Sequence, residues 1–139
     1  MSTNVVSESL ISTLPGSTYV DEAVFRAEQE RIFEQMWFCA VRAGDLDKPG
    51  AYRTVQIGRE SIIITRNRKH GIRAFYNICR HRGVKLCMEE TGEANRSFQC
   101  PYHAWTYDFD GKLIAAPNLT KMPDIDRQEY GLVTIPVRE

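Results

Sequence analysis

Along the chain, apolar positions change spacing once. Residues 1 to about 18 are rich in Ser and Thr, carry a Pro15-Gly16 turn signal and read as a flexible arm. Asp21 is placed to cap a helix. Phe25, Ile32, Phe33 and Met36 then fall near one face at helical spacing, which predicts a helix over Glu22–Gln35 with an apolar packing stripe. After Met36 the pattern shortens. Trp37–Val41, Tyr52–Ile57, Ser61–Thr65 and Ile72–Ile78 are brief runs rich in β-branched and aromatic residues, and each reads as a strand. Arg66–Gly71 is a polar hairpin connection, and Asp110-Gly111 is a second one between Tyr107–Phe109 and Lys112–Ile114. A last strand is expected near Leu132–Val137. The predicted organisation is an N-terminal arm and helix over 1–36 and a mainly β unit over 37–139, a small antiparallel sandwich or barrel.

Length and composition narrow this little. A chain of 139 residues, 42% hydrophobic and 26% charged, has room for one modest core and is ordinary for a folded domain. Lysine plus arginine equals aspartate plus glutamate at 18 each, so there is no global attraction to nucleic acid or to an anionic membrane, and any docking charge must be local. Met1–Leu10 lacks the basic start and apolar stretch of a secretory leader, and no apolar run is long enough to span a bilayer. A cytoplasmic protein is therefore expected. In that compartment four cysteines point to metal binding more than to disulfides.

Two long irregular segments, Cys79–Phe98 and Cys100–Trp105, both follow strand-like runs and both begin with cysteine. They read Cys79-Arg80-His81-Arg82-Gly83 and Cys100-Pro101-Tyr102-His103, that is C-x-H, eighteen residues, then C-x-x-H. Each loop supplies one thiolate and one imidazole. A Rieske-type [2Fe–2S] centre needs that division, with two cysteines on one iron and two histidines on the other. A single tetrahedral zinc could use the same four side chains, although the one-residue gap in C-x-H is tight for a zinc hook. Cys39 and Cys87 fit neither spacing and are expected to be free thiols. His70 lies among Arg66, Arg68 and Lys69 and is expected to be solvated. Arg80 and Arg82 have two readings, as complements to an acidic redox partner or as surface residues paired with Glu89 or Glu90. The second is slightly favoured.

The run Cys79-Arg80-His81-Arg82-Gly83 … Cys100-Pro101-Tyr102-His103-Ala104-Trp105-Thr106-Tyr107-Asp108 … Asp110-Gly111 resembles the Rieske domain of ring-hydroxylating oxygenase α subunits over most of residues 37–117. Glu28–Trp37 and Pro49-Gly50-Ala51-Tyr52 are similar to that family's approach to the domain. The resemblance implies a Rieske [2Fe–2S] cluster as cofactor, held by Cys79, His81, Cys100 and His103. It implies a reductase or ferredoxin as electron donor and a mononuclear iron, held by two histidines and a carboxylate, as acceptor. Once His81 and His103 are used, only His70 remains, so these 139 residues are not expected to build that second iron site. The end at Val137-Arg138-Glu139, just after a strand-like run, favours an excised domain, and the expectation is a Rieske domain without its catalytic domain. A stand-alone Rieske ferredoxin and a zinc-stabilised binding module are the alternatives.

The sequence departs from the family at Ala104, where the family usually has glycine; a left-handed backbone there would be strained. Respiratory relatives carry a disulfide cysteine and a sulfide-bonding serine where this chain has Tyr102 and Trp105. Their absence implies a low reduction potential, about −150 mV. Tyr107 is a candidate donor to a cysteine sulfur.

Overall fold

The computed structural model describes residues 12–117 and 126–139. The chain divides after Met36 into two compact units.

In the first unit, Pro15-Gly16 opens a 3-10 turn over Gly16–Tyr19, so part of the expected arm is structured; residues 1–11 of that arm lie outside the described residues. Helix α1 spans Glu22–Glu28, and the Asp21 side chain caps it by accepting the Ala23 N–H at 2.7 Å. The helix is shorter than its apolar spacing suggests. It passes into a π turn over Gln29–Phe33, closed by a Glu34 N–H to Gln29 carbonyl bond of 3.0 Å. The wider turn breaks the 3.6-residue period on which the longer helix was read. Phe25, Ile32 and Met36 are exposed, so the expected stripe is not a packed face within this unit.

The second unit is antiparallel throughout. Strands β1 (Ala51–Ile57), β2 (Glu60–Arg66), β3 (Ile72–Tyr76), β4 (Thr91–Glu93) and β8 (Thr134–Ile135) form one sheet in the order β4-β1-β2-β3-β8. Strands β5 (Phe98–Gln99), β6 (Thr106–Tyr107) and β7 (Leu113–Ala115) form a second. The run Ile62-Ile63-Ile64 explains the layering. Side chains alternate across a strand, and both faces of β2 are buried. Ile63, opposite Phe75 on β3, faces a core shared with Phe98, Tyr107, Phe109 and Leu113 of the second sheet region. Ile62 and Ile64 face a smaller core with Leu46, Ile72 and Ala74.

Trp37–Val41 is not a strand. Ala40 and Val41 pack against the smaller core alongside Leu46, whereas Trp37, Phe38 and Cys39 are exposed, and the stretch lies outside both ladders. Strand β4, conversely, lies inside a segment expected to be irregular. Its Thr91-Gly92-Glu93 sequence has no alternating apolar pattern to announce it. The β6–β7 turn forms as expected. Asp108 accepts the backbone N–H groups of Asp110 and Lys112, and Gly111 sits at φ +83° with Phe75 filling the space a Cβ would need.

Candidate metal centre

Both cysteine loops use one backbone device. In the first, Cys79 N–H donates to the Val84 carbonyl at 2.8 Å and Gly83 N–H to the Cys79 carbonyl at 2.9 Å. In the second, Cys100 N–H donates to Trp105 at 2.8 Å and Ala104 N–H to Cys100 at 3.0 Å. Counting from each cysteine, the fifth residue of each six-residue loop is left-handed, Gly83 at φ +70° and Ala104 at φ +56°. The loops are thus equivalent in backbone although histidine is third in one and fourth in the other. Ala104 does adopt the strained conformation that its departure from glycine implied.

The loops bring the four sequence-derived residues together as two pairs. Cys79 and Cys100 are buried, 1% and 2% exposed, and their thiols lie close enough to interact. The His81 and His103 rings meet edge to face with centroids 4.7 Å apart. Each ring has a buried Nδ1 with no hydrogen-bond partner. A buried polar atom left so is costly, and native structures rarely leave one without reason. Two such atoms on adjacent rings, together with two adjacent buried thiols on the same two loops, match the donor set of a [2Fe–2S] group with two sulfur and two nitrogen ligands. Among the described residues, no three His, Cys, Asp or Glu side chains are grouped as the ligands of one ion.

Aromatic residues enclose the pairs. Trp105 stacks on His81 at 4.8 Å with planes 10° apart, and Tyr130 meets Trp105 edge-on at 5.6 Å. Tyr102 lies over His103 at 3.8 Å and is largely exposed. Tyr107 Oη accepts the Arg80 backbone N–H at 3.1 Å and stands 3.4 Å from Cys79 Sγ. Burial pushes its phenol up, so it stays protonated and can donate to a thiolate, which only accepts. Burial also raises the Cys79 thiol, which the Tyr107 bond partly offsets. Burial, then electrostatic repulsion from the His103 and Arg82 side chains, lowers His81, which favours the neutral imidazole, the form that binds metal.

Among the described residues, neither Arg80 nor Arg82 forms an ion pair with Glu89 or Glu90. Both are exposed, and the surface-pair reading gives way. Cys39 is exposed and free; Cys87 is free and buried; His70 is exposed. Sequence reasoning missed Asn77. It is 1% exposed and uses its amide fully. Oδ1 accepts the N–H groups of Leu86 and Cys87 at 3.0 and 2.9 Å, and Nδ2 donates to the Cys87 carbonyl at 2.7 Å and Ser61 Oγ at 3.2 Å. A lone asparagine between a strand and a loop carries no signal of that role.

Comparison with known proteins decides the family. The model of the Rieske [2Fe-2S] domain matches residues 36–130. The chain belongs to that family. The Rieske domain here is 38% identical over 127 residues to the glycine betaine monooxygenase oxygenase subunit of Pseudomonas aeruginosa, covering 91% of this chain and 29% of that protein. It is 34% identical over 113 residues to the chlorobenzene dioxygenase subunit alpha of Cupriavidus sp., covering 81% of this chain and 25% of that protein. It superposes on the crystal structure of a quaternary ammonium Rieske monooxygenase in complex with L-carnitine with a TM-score of 0.86 at 37% identity, over 91% of this chain and 36% of that one. The chain thus spans about a quarter to a third of these relatives. The cofactor of the Rieske domain is a Rieske-type [2Fe–2S] cluster, and the fold is that of the Rieske domains of oxygenase α subunits. No helix among the described residues is long and apolar enough to cross a membrane.

Proposed function

We propose that Cys79 and Cys100 hold one iron of the cluster and His81 and His103, through Nδ1, the other. The domain then passes single electrons from a reductase or ferredoxin to the mononuclear iron of an oxygenase catalytic domain or subunit. The observation that carries this is the pair of buried, partnerless Nδ1 atoms beside two buried thiols, presented by two loops of one backbone form. Bound there, the cluster supplies reversible one-electron chemistry. The chain's own residues do the rest. Tyr107 holds its proton toward Cys79 Sγ. Trp105 and Tyr102 lie against the imidazoles and keep water from them. Arg80, Arg82 and Lys85 are exposed on the loop that carries His81, and they give a chain of zero net charge a local positive fringe for an acidic donor. The free cysteines accord with a reducing, cytoplasmic setting. The quaternary ammonium monooxygenases match more of this chain than the aromatic-ring dioxygenases do, 91% against 81–82%, which favours an oxygenase of the first kind as the parent activity.

The test is the visible spectrum of the purified protein and its EPR spectrum after dithionite reduction. About two irons per chain and a reduced signal with average g below two, both lost in Cys100→Ser and His103→Ala, would support the assignment. A colourless protein containing zinc would end it and leave a zinc-stabilised module.

A further inference from the structure

The two cluster loops share a backbone form but not a foundation. The second is closed by a ladder, since β5 and β6 enter and leave it and pair through Gln99↔Thr106 and Phe98↔Tyr107. The first leaves β3 at Tyr76, and its return leg through Leu86 and Cys87 belongs to neither sheet. The polar backbone of a buried return leg must still be satisfied. At this point Asn77 does what a neighbouring strand would do. Its Oδ1 takes the N–H groups of Leu86 and Cys87, and its Nδ2 gives a bond to the Cys87 carbonyl. Asn77 is itself fixed to the end of β2, by its backbone N–H to the Ser61 carbonyl at 2.8 Å and by Nδ2 to Ser61 Oγ.

We infer that Asn77 is a positioning residue for the cluster. Its side chain replaces the missing strand and sets where Cys79 and His81 stand relative to Cys100 and His103. The inference rests on the ligand assignment proposed above. It goes further in naming the group that registers one half of the ligand set against the other. Asn67 supplies a matched control. It is equally buried, accepts the N–H groups of Lys69 and Gly71, and donates to Asp110, but it sits in the β2–β3 turn at the opposite end of that hairpin from Ser61 and Asn77.

The experiment uses holoprotein as purified, with Asn77→Ala, Asn77→Asp and Asn67→Ala beside the wild type. Three readouts are taken: thermal midpoint, rate of visible-absorbance loss to an iron chelator, and the shape of the reduced EPR signal. Asn77→Ala is expected to speed cluster loss by on the order of tenfold, the equivalent of one buried hydrogen bond, and to broaden the EPR signal. Asn77→Asp, which keeps the acceptor for both N–H groups, should fall between Asn77→Ala and wild type. Asn67→Ala should lower the midpoint while leaving cluster loss and EPR shape at wild-type values. If Asn77→Ala yields no folded holoprotein, the Asn77→Asp against Asn67→Ala comparison carries the same test. Equal cluster-loss rates and EPR shapes for the Asn77 and Asn67 variants would overturn the inference and leave Asn77 a fold-stabilising residue. The wild-type spectrum separately decides the ligand assignment, so the two readings fail independently.

Discussion

Gly83 and Ala104 occupy the same place in two loops of one backbone form, so exchanging their side chains isolates backbone strain. At φ +70° a Cβ on residue 83 would meet nothing within 4 Å, and Gly83→Ala therefore reports the left-handed conformation alone. That conformation costs an L-residue about 1–2 kcal/mol. Removing glycine's freedom from the unfolded chain returns about 0.4–1 kcal/mol. The net is a destabilisation of about 0.5–1 kcal/mol for Gly83→Ala. Ala104 at φ +56° carries the same strain already, so Ala104→Gly should stabilise by a similar amount. For a domain of this size 1 kcal/mol moves the midpoint by about 3–4 °C, so shifts of about 2–4 °C in opposite directions are expected. The double exchange should lie near wild type. The assay is thermal unfolding of holoprotein followed by far-UV circular dichroism at one fixed scan rate, because loss of the cluster makes the midpoint an apparent one. A lower midpoint for Ala104→Gly, or a higher one for Gly83→Ala, would refute the claim that φ decides the residue at this position.

Tyr107→Phe removes the donor to Cys79 Sγ and leaves the Arg80 N–H without its acceptor, so voltammetry should show a potential lower by about 30–60 mV, about 1 kcal/mol of hydrogen bonding lost preferentially from the reduced state. Trp105 brings no hydroxyl, and that of the next residue, Thr106, already donates to the Ala104 carbonyl, so the wild-type potential should lie near the bottom of the Rieske range, about −150 mV; a clearly positive value would contradict this. A thiol-alkylating reagent at pH 8 should label Cys39, which is exposed, and spare Cys87, whose thiol burial pushes up to about 12; mass spectrometry of the labelled holoprotein reads the sites. The Asn67 amide, and then Arg73, hold the Asp110 carboxyl below its ordinary value. A folded-state value below the unfolded one contributes stability above the unfolded pKa and loses it as pH falls through the folded value. Wild type should therefore lose stability below about pH 4 more steeply than Asp110→Asn, and equal acid limbs in denaturant titrations would exclude the carboxyl as the cause.

The four candidate ligands were legible because their chemistry is compressed into two short motifs, and the strands β1, β2 and β3 because their residues alternate or run apolar. The Trp37–Val41 run shows where that reading fails. It is as apolar as a strand, but Trp37 and Phe38 are exposed and only Ala40 and Val41 pack on the smaller core, with no backbone pairing to either sheet. Strand β4 shows the converse, since Thr91-Gly92-Glu93 earns its place by pairing with Ala51–Arg53 and has no hydrophobic pattern of its own. The α1 helix was overextended because apolar spacing in the sequence does not show the π turn at Gln29–Phe33, where the hydrogen bonding and the 3.6-residue period both change. Asn77 was invisible because its role depends on what lies across from it in space, ten residues further along the chain.

Burial acts in opposite senses on the two kinds of donor, and this sets what the protein must supply. It penalises whichever form is charged. For His81 the neutral form is the one that binds metal, so burial already prepares the imidazole. For Cys79 the metal-binding form is the thiolate, and burial opposes it. Bonds to the sulfur must offset that cost, and two contribute: the Tyr107 hydroxyl and the His81 backbone N–H. Both come from residues fixed by the loops themselves. Tyr107 is held in β6 and against the Arg80 N–H, and His81 lies two residues along the same turn. His81 therefore needs only shape and the stacked cover of Trp105, whereas Cys79 needs hydrogen-bond donors in fixed places. That difference is a physical reason for thiols deep beside the strands and imidazoles toward the surface.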